Sequence, residues 1–246
     1  MILMYHHIAE QPGFNTVSRL HFQEQMDWLS QNRYEVVTMD AYVQGLRSGQ
    51  LPRNRVTITF DDAYISYKEI ALPILRSHGF PSTVFVPTNF VGKSNVWDDG
   101  AIPIMDWQAL KEIASSVDIT IGSHGMAHRH MRALESNIVA EKVRESKAIL
   151  ERELMVKVKH FSYPFGQLRD FDGRCKHEIA TAGYDSACST IWSRRNSKGN
   201  LFALHRLEIE PKDDIYQFSA KISRTFHPKY FRQRAKNLLF RLHLRR

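Results

Sequence analysis

About seven times along the chain, a short run of β-branched or aromatic residues is followed by a longer stretch with helical spacing. This alternation constrains the fold most, because strands separated by helices pair in parallel and close into few architectures. Strands are expected at residues 2–5, 35–37, 56–60, 83–86, 119–121, 159–162, 185–188 and 204–209. Helices are expected at 18–31, 39–48, 64–78, 106–115, 135–153, 171–182 and 213–225. Gly79 and Gly183 each stand where a helix must end before a strand begins, the position that favours a left-handed cap. Pro73 has no N–H to donate and should break the 64–78 helix into shorter pieces. There is no internal repeat and no Pro/Gly/Ser-rich linker, and 246 residues suit one domain of this kind. The expectation is a single-domain α/β fold, a distorted or incomplete (β/α)7 barrel, with a flat doubly wound sheet as the alternative. In either, reactive side chains belong where strands end and loops begin.

Two such places carry chemistry. Val56-Thr57-Ile58-Thr59-Phe60 runs directly into Asp61-Asp62. Adjacent carboxylates repel, so placing both at one strand end is costly unless a cation neutralises one. The plainer reading makes Asp62 a helix N-cap and leaves Asp61 in water. Ile119-Thr120-Ile121-Gly122 likewise runs into a loop carrying His124 and His128. On a helical turn, four-residue spacing would set both imidazoles on one side, able to share a metal ion. His130 would point elsewhere. Together the two motifs offer one carboxylate and two imidazoles, with coordination positions left over for water and substrate. The second carboxylate remains available as a base, which is what hydrolysis of an unactivated amide requires.

Thr59-Phe60-Asp61-Asp62 followed by Ser123-His124-Gly125-Met126-Ala127-His128 resembles the first two motifs of the NodB-homology polysaccharide deacetylases, carbohydrate esterase family 4. Leu72–Gly79, Ser82–Val86, Met105-Asp106-Trp107 and Ser162-Tyr163-Pro164-Phe165-Gly166 resemble that family too, so the similarity spans about residues 1–210. The resemblance implies a metal-dependent hydrolase that removes N-acetyl groups from amino sugars of a poly- or oligosaccharide and releases acetate. It implies Asp62, His124 and His128 as metal ligands and Asp61 as catalytic base. It further implies Zn2+ or another divalent ion as cofactor, and the Phe165 backbone N–H as a donor to the oxyanion. The family's third motif usually opens with an arginine that pairs with the base, where this chain has Ser162; Arg206 is the candidate replacement. The start Met4-Tyr5-His6-His7 is similar to the branch that includes poly-β-1,6-N-acetylglucosamine deacetylases, in which an N-terminal histidine supplies the acid. His6 is taken for that role, with His7 and His205 as alternatives. Two other readings compete: an amidohydrolase acting on a small non-sugar amide, and a catalytically inactive barrel that binds glycan or scaffolds a partner.

The formal charge of +8 is confined to one place, because Arg224, Lys229, Arg232, Arg234, Lys236, Arg241, Arg245 and Arg246 account for the whole excess. A 1–223 deacetylase domain is therefore expected to precede a basic amphipathic tail at 224–246. The tail reads as a candidate contact to an anionic membrane surface or a glycosyltransferase; nucleic acid is not favoured, since the body is charge-balanced. The chain's first residues lack the basic and long apolar regions of a signal peptide, and no apolar run reaches membrane-spanning length. A cytoplasmic location is expected, with the inner membrane face as the candidate surface for the basic tail. Cys175 and Cys188 fit neither a metal motif nor a disulfide framework and are expected to be reduced and buried.

Overall fold

The computed structural model describes residues 1–98, 101–223 and 240. Ten strands and seven α-helices are present among these residues. The strands are β1 (Ile2–Tyr5), β2 (His7–Ala9), β3 (Thr16–Ser18), β4 (Glu35–Val36), β5 (Arg55–Phe60), β6 (Ser82–Val86), β7 (Ile119–Ser123), β8 (His160–Ser162), β9 (Ser186–Trp192) and β10 (Leu204–Glu208). The helices are α1 (Arg19–Gln31), α2 (Met39–Ser48), α3 (Leu72–Ser77), α4 (Trp107–Ala114), α5 (Ser136–Leu154), α6 (Gly173–Thr181) and α7 (Ile215–Ile222).

Seven parallel strands run in the order β1, β5, β6, β7, β8, β9, β10, and β10 pairs back onto β1. The sheet is thus a closed (β/α)7 barrel rather than a flat doubly wound sheet. The expected strand at 35–37 is not a barrel stave: Glu35 and Val36 pair only with Arg55 and Val56, below the point where β1 takes over that edge of β5. The short β2–β3 pair was not anticipated, because three-residue strands flanking a Pro-Gly turn carry no periodic signal. The helix expected at 64–78 divides as Pro73 requires, into a π-turn at Tyr67–Ala71 and α3, whose first turn holds the proline. Gly79 and Gly183 have φ of +65° and +79°, the left-handed conformation expected of them. The 224–246 tail lies outside the described residues apart from Phe240. Among the described residues no helix is long and apolar enough to cross a membrane.

Two apolar clusters hold the barrel. The larger packs strand side chains such as Leu3, Ile58, Val84, Ile121 and Phe161 against the surrounding helices. The smaller joins Ile2, Phe85, Cys188 and Leu204 to Met39, Tyr42, Val43 and Leu46 of α2, which plugs the end where the strands begin. Polar residues gather at the other end, so the apolar plug leaves the C-terminal strand edges free to build a site.

Candidate active site

Asp61 follows the last residue of β5, and its N–H donates to Tyr5 O at 3.0 Å, the last residue of β1. Its carboxylate is buried and receives Arg206 from β10 in two parallel hydrogen bonds: Nη1 to Oδ1 at 2.7 Å and Nη2 to Oδ2 at 2.6 Å. Arg206 is itself fully buried, and its Nε donates to Ser189 O at 2.9 Å. A register shift between β9 and β10 aims it: Leu204 pairs with Cys188 but Arg206 pairs with Trp192. Ser162 accepts from Arg206 Nη2 at 2.9 Å and donates to Asp61 Oδ2 at 3.2 Å. Burial alone would raise the Asp61 pKa, but the Arg206 charge and the neighbouring His124 outweigh it and hold the carboxyl below the usual range.

Asp62 turns away from the strand with φ +70°, followed by Ala63 at +54°. Its Oδ1 lies 3.4 Å from His124 Nε2 and 3.5 Å from His128 Nε2. All three side chains are buried, and Oδ1 has no hydrogen-bond partner among the described residues. A tetrahedral ion with ligand bonds of about 2.0–2.1 Å has edges of about 3.3–3.4 Å, which both Asp62–histidine separations match, and the three ligand atoms lie within 4.8 Å of one another. His124 Nδ1 donates to Ser162 O at 2.8 Å, which turns Nε2 toward the site. Burial pushes His128 down to about 3, keeping it in the neutral form in which an imidazole can bind a metal. The HxxxH spacing does not act through a helical turn as expected. The segment is an irregular loop, reversed at Gly125 (φ +71°) and His128 (φ +47°).

A cavity of about 200 Å³ opens over these groups, lined also by His6, Trp97, Asp98, Phe165 and Glu208. His6 is therefore brought to the site. His7 turns aside to Thr16, its Nδ1 3.1 Å from Oγ1, and His205 does not line the cavity because alternation along β10 sends it outward when Arg206 points in. Phe165 has φ +58°, and its N–H makes no hydrogen bond among the described residues. Thr190 fixes that turn by donating Oγ1 to Phe165 O at 2.6 Å and its N–H to Gly166 O at 2.9 Å. Non-glycine residues with positive φ thus concentrate at Asp62, Ala63, His128 and Phe165, the pattern of a site in which the fold holds strained backbone. His130 stays outside the cluster of three, bonded to Asp170 Oδ1 at 2.8 Å and stacked on Phe165. Sequence reasoning missed Trp97, which donates Nε1–H to Asp62 Oδ2 at 3.3 Å. It also missed the double role of Ser162, seen in sequence only as a lost arginine.

The polysaccharide deacetylase family model matches residues 48–187, more than half of the chain. A poly-β-1,6-N-acetyl-D-glucosamine N-deacetylase of Staphylococcus aureus is 26% identical over 223 residues, covering 87% of this chain and 74% of that protein. In fold, the chain is similar to the Streptococcus pyogenes deacetylase PplD in complex with acetate, with TM-score 0.77, 22% identity, and coverage of 92% and 97% of the two chains. It is also similar to IcaB from Ammonifex degensii, with TM-score 0.78, 23% identity, and coverage of 90% and 96%. A barrel of this topology, with its buried carboxylate–imidazole cluster at the mouth, matches what the sequence comparison finds, and the chain belongs to the polysaccharide deacetylase family.

Proposed function

We propose that this chain is a divalent-metal-dependent hydrolase that removes the N-acetyl group from amino-sugar residues of a poly- or oligosaccharide, releasing acetate. The observation that carries this reading is the Asp62–His124–His128 cluster with Asp61 held beside it by Arg206. One carboxylate and two imidazoles suit zinc, with positions left open for water and substrate. When bound there, such a cation supplies Lewis acidity toward the acetyl carbonyl and makes a water molecule more acidic.

The chain's own groups divide the remaining work. Asp61 stays anionic, and a carboxylate offers about four acceptor positions. Arg206 and Ser162 fill three of them, leaving one to take a proton from the attacking water. The Phe165 N–H donates to the oxyanion that forms as the water oxygen bonds to the acetyl carbon. His6, lining the same cavity, gives its proton to the nitrogen as the carbon–nitrogen bond breaks, so that a neutral amine leaves.

The test is acetate release from N-acetylglucosamine oligomers, with small non-sugar amides assayed in parallel. Asp61→Asn retains metal and loses turnover by about 100-fold or more, whereas His124→Ala loses metal and turnover together. Wild-type turnover in Asp61→Asn would refute the base assignment. Hydrolysis of only the small amides would replace the glycan by a simpler substrate.

A further inference from the structure

The two histidines of the cluster are held in different ways. A metal-bound imidazole ordinarily donates its other N–H to a carbonyl or carboxylate, which fixes the ring. His124 follows that rule through Ser162 O at 2.8 Å. His128 does not: its Nδ1 is buried and has no hydrogen-bond partner among the described residues. Its ring is instead held by aromatic faces. Trp97 stacks on it with centroids 4.1 Å apart and an interplanar angle of 16°, and Phe165 meets it edge-on at 4.7 Å.

Trp97 also reaches a second ligand. Its indole N–H can only donate, and it donates to Asp62 Oδ2 at 3.3 Å. That bond turns the other oxygen, Oδ1, toward both histidine Nε2 atoms. The segment carrying Trp97 is anchored independently of the cluster. Asn95 is buried; its N–H donates to Ile102 O at 3.1 Å, its Oδ1 accepts from Ile102 N at 2.8 Å, and its Nδ2 donates to Tyr64 Oη at 3.1 Å. Met105 N donates to Ala63 O at 3.0 Å and Ile65 N to Pro103 O at 3.0 Å. The same segment is therefore sewn to the turn that carries Asp62 in its strained conformation. Phe90 buttresses the indole from the side, with centroids 4.8 Å apart at 88°.

Resting on the metal-site reading above, we infer that Trp97 is a positioning residue for the metal centre. It orients two of the three ligands at once and replaces, by stacking, the hydrogen bond that His128 lacks. It acts through Asp62 and His128. Its effect is on how the ligand atoms of Asp62 and His128 are held relative to His124.

The experiment is zinc affinity by competition with a chromophoric chelator. It is run on wild type, Trp97→Phe, Trp97→Ala and His124→Ala, with the melting temperature of each metal-free protein measured alongside. Trp97→Ala should weaken zinc binding by roughly 10–100-fold, the range for outer-shell partners. Trp97→Phe, which keeps a ring over His128 but has no N–H for Asp62, should lose less. The visible absorption of the cobalt(II) forms should differ between wild type and both Trp97 variants, because it reports ligand geometry, which a merely structural role would leave alone. Should Trp97→Ala fail to fold, Trp97→Phe decides. Wild-type zinc affinity and an unchanged cobalt spectrum in Trp97→Phe and in any folded Trp97→Ala would overturn the inference. Equal binding by wild type and His124→Ala would instead remove the ligand assignment on which the inference stands.

Discussion

Arg206 and Asp61 are a fully buried ion pair, exposed by 0% and 2% at their side chains. Such a pair is not a reliable source of stability, but removing one partner strands the other charge. Arg206→Ala should therefore destabilise the protein by about 3–5 kcal/mol in urea unfolding; a loss below about 1 kcal/mol would mean that Asp61 does not depend on it. The pair also fixes a pH dependence. Folding holds the Asp61 pKa below its ordinary value of about 3.9. Its contribution to stability is complete above that unfolded value and is lost as pH falls toward the lower folded one. Unfolding free energy measured between about pH 6 and pH 2 should thus fall more steeply for wild type than for Asp61→Asn; parallel curves would contradict the depressed pKa. Most of these residues were legible in the sequence because they follow the end of a strand run; Arg206, in the middle of β10, was legible only as the replacement for the arginine that the third motif lacks. Trp97 was not. It lies in a stretch without periodicity, and its contact with His128 exists only after two distant loops have met.

At the scale of elements, the site depends on irregularities that periodicity cannot announce. The shift between β9 and β10 turns Arg206 inward, and Ser189, within it, both accepts from Arg206 Nε and donates Oγ to Leu204 O at 3.0 Å. The turn after β8 presents Phe165 because Gly166 sits at φ +68° with almost no room for a side chain. A Cβ there would meet Thr190 N at 2.8 Å and Tyr163 O at 3.1 Å. Gly166→Ala should cost about 1–2 kcal/mol from the left-handed backbone alone. It should also lower turnover, since the clash falls on the turn that aims the Phe165 N–H. Unchanged turnover in a folded Gly166→Ala would argue against that N–H as an oxyanion donor. The regular elements were legible because their patterns are long: seven of the eight expected strands form the barrel. Residues 35–37 misled because a β-branched pair reads alike as a stave or as the short edge contact seen here. The HxxxH spacing misled in a similar way, as a helical period was read into a loop whose reversals at Gly125 and His128 bring the rings together.

For the whole molecule, barrel closure sets the function. Because β10 returns to β1, the ends of β1, β5, β7, β8 and β10 converge on one mouth, and residues as far apart in the chain as Met4 and Glu208 share one cavity. Tyr42 and its neighbours on α2 seal the opposite end with apolar side chains. Among the described residues Arg206 balances Asp61, while Asp62 Oδ1 makes no hydrogen bond and faces the Nε2 atoms of His124 and His128. A divalent ion bound there would complete that balance, so activity should depend on it entirely. The most direct measurement is acetate release from N-acetylglucosamine oligomers before chelation, after chelation and after zinc is restored, with bound metal quantified at each stage. One metal ion per chain, with release abolished on its removal and recovered on its return, is the expected result. Acetate release that continues undiminished from metal-free protein would contradict it.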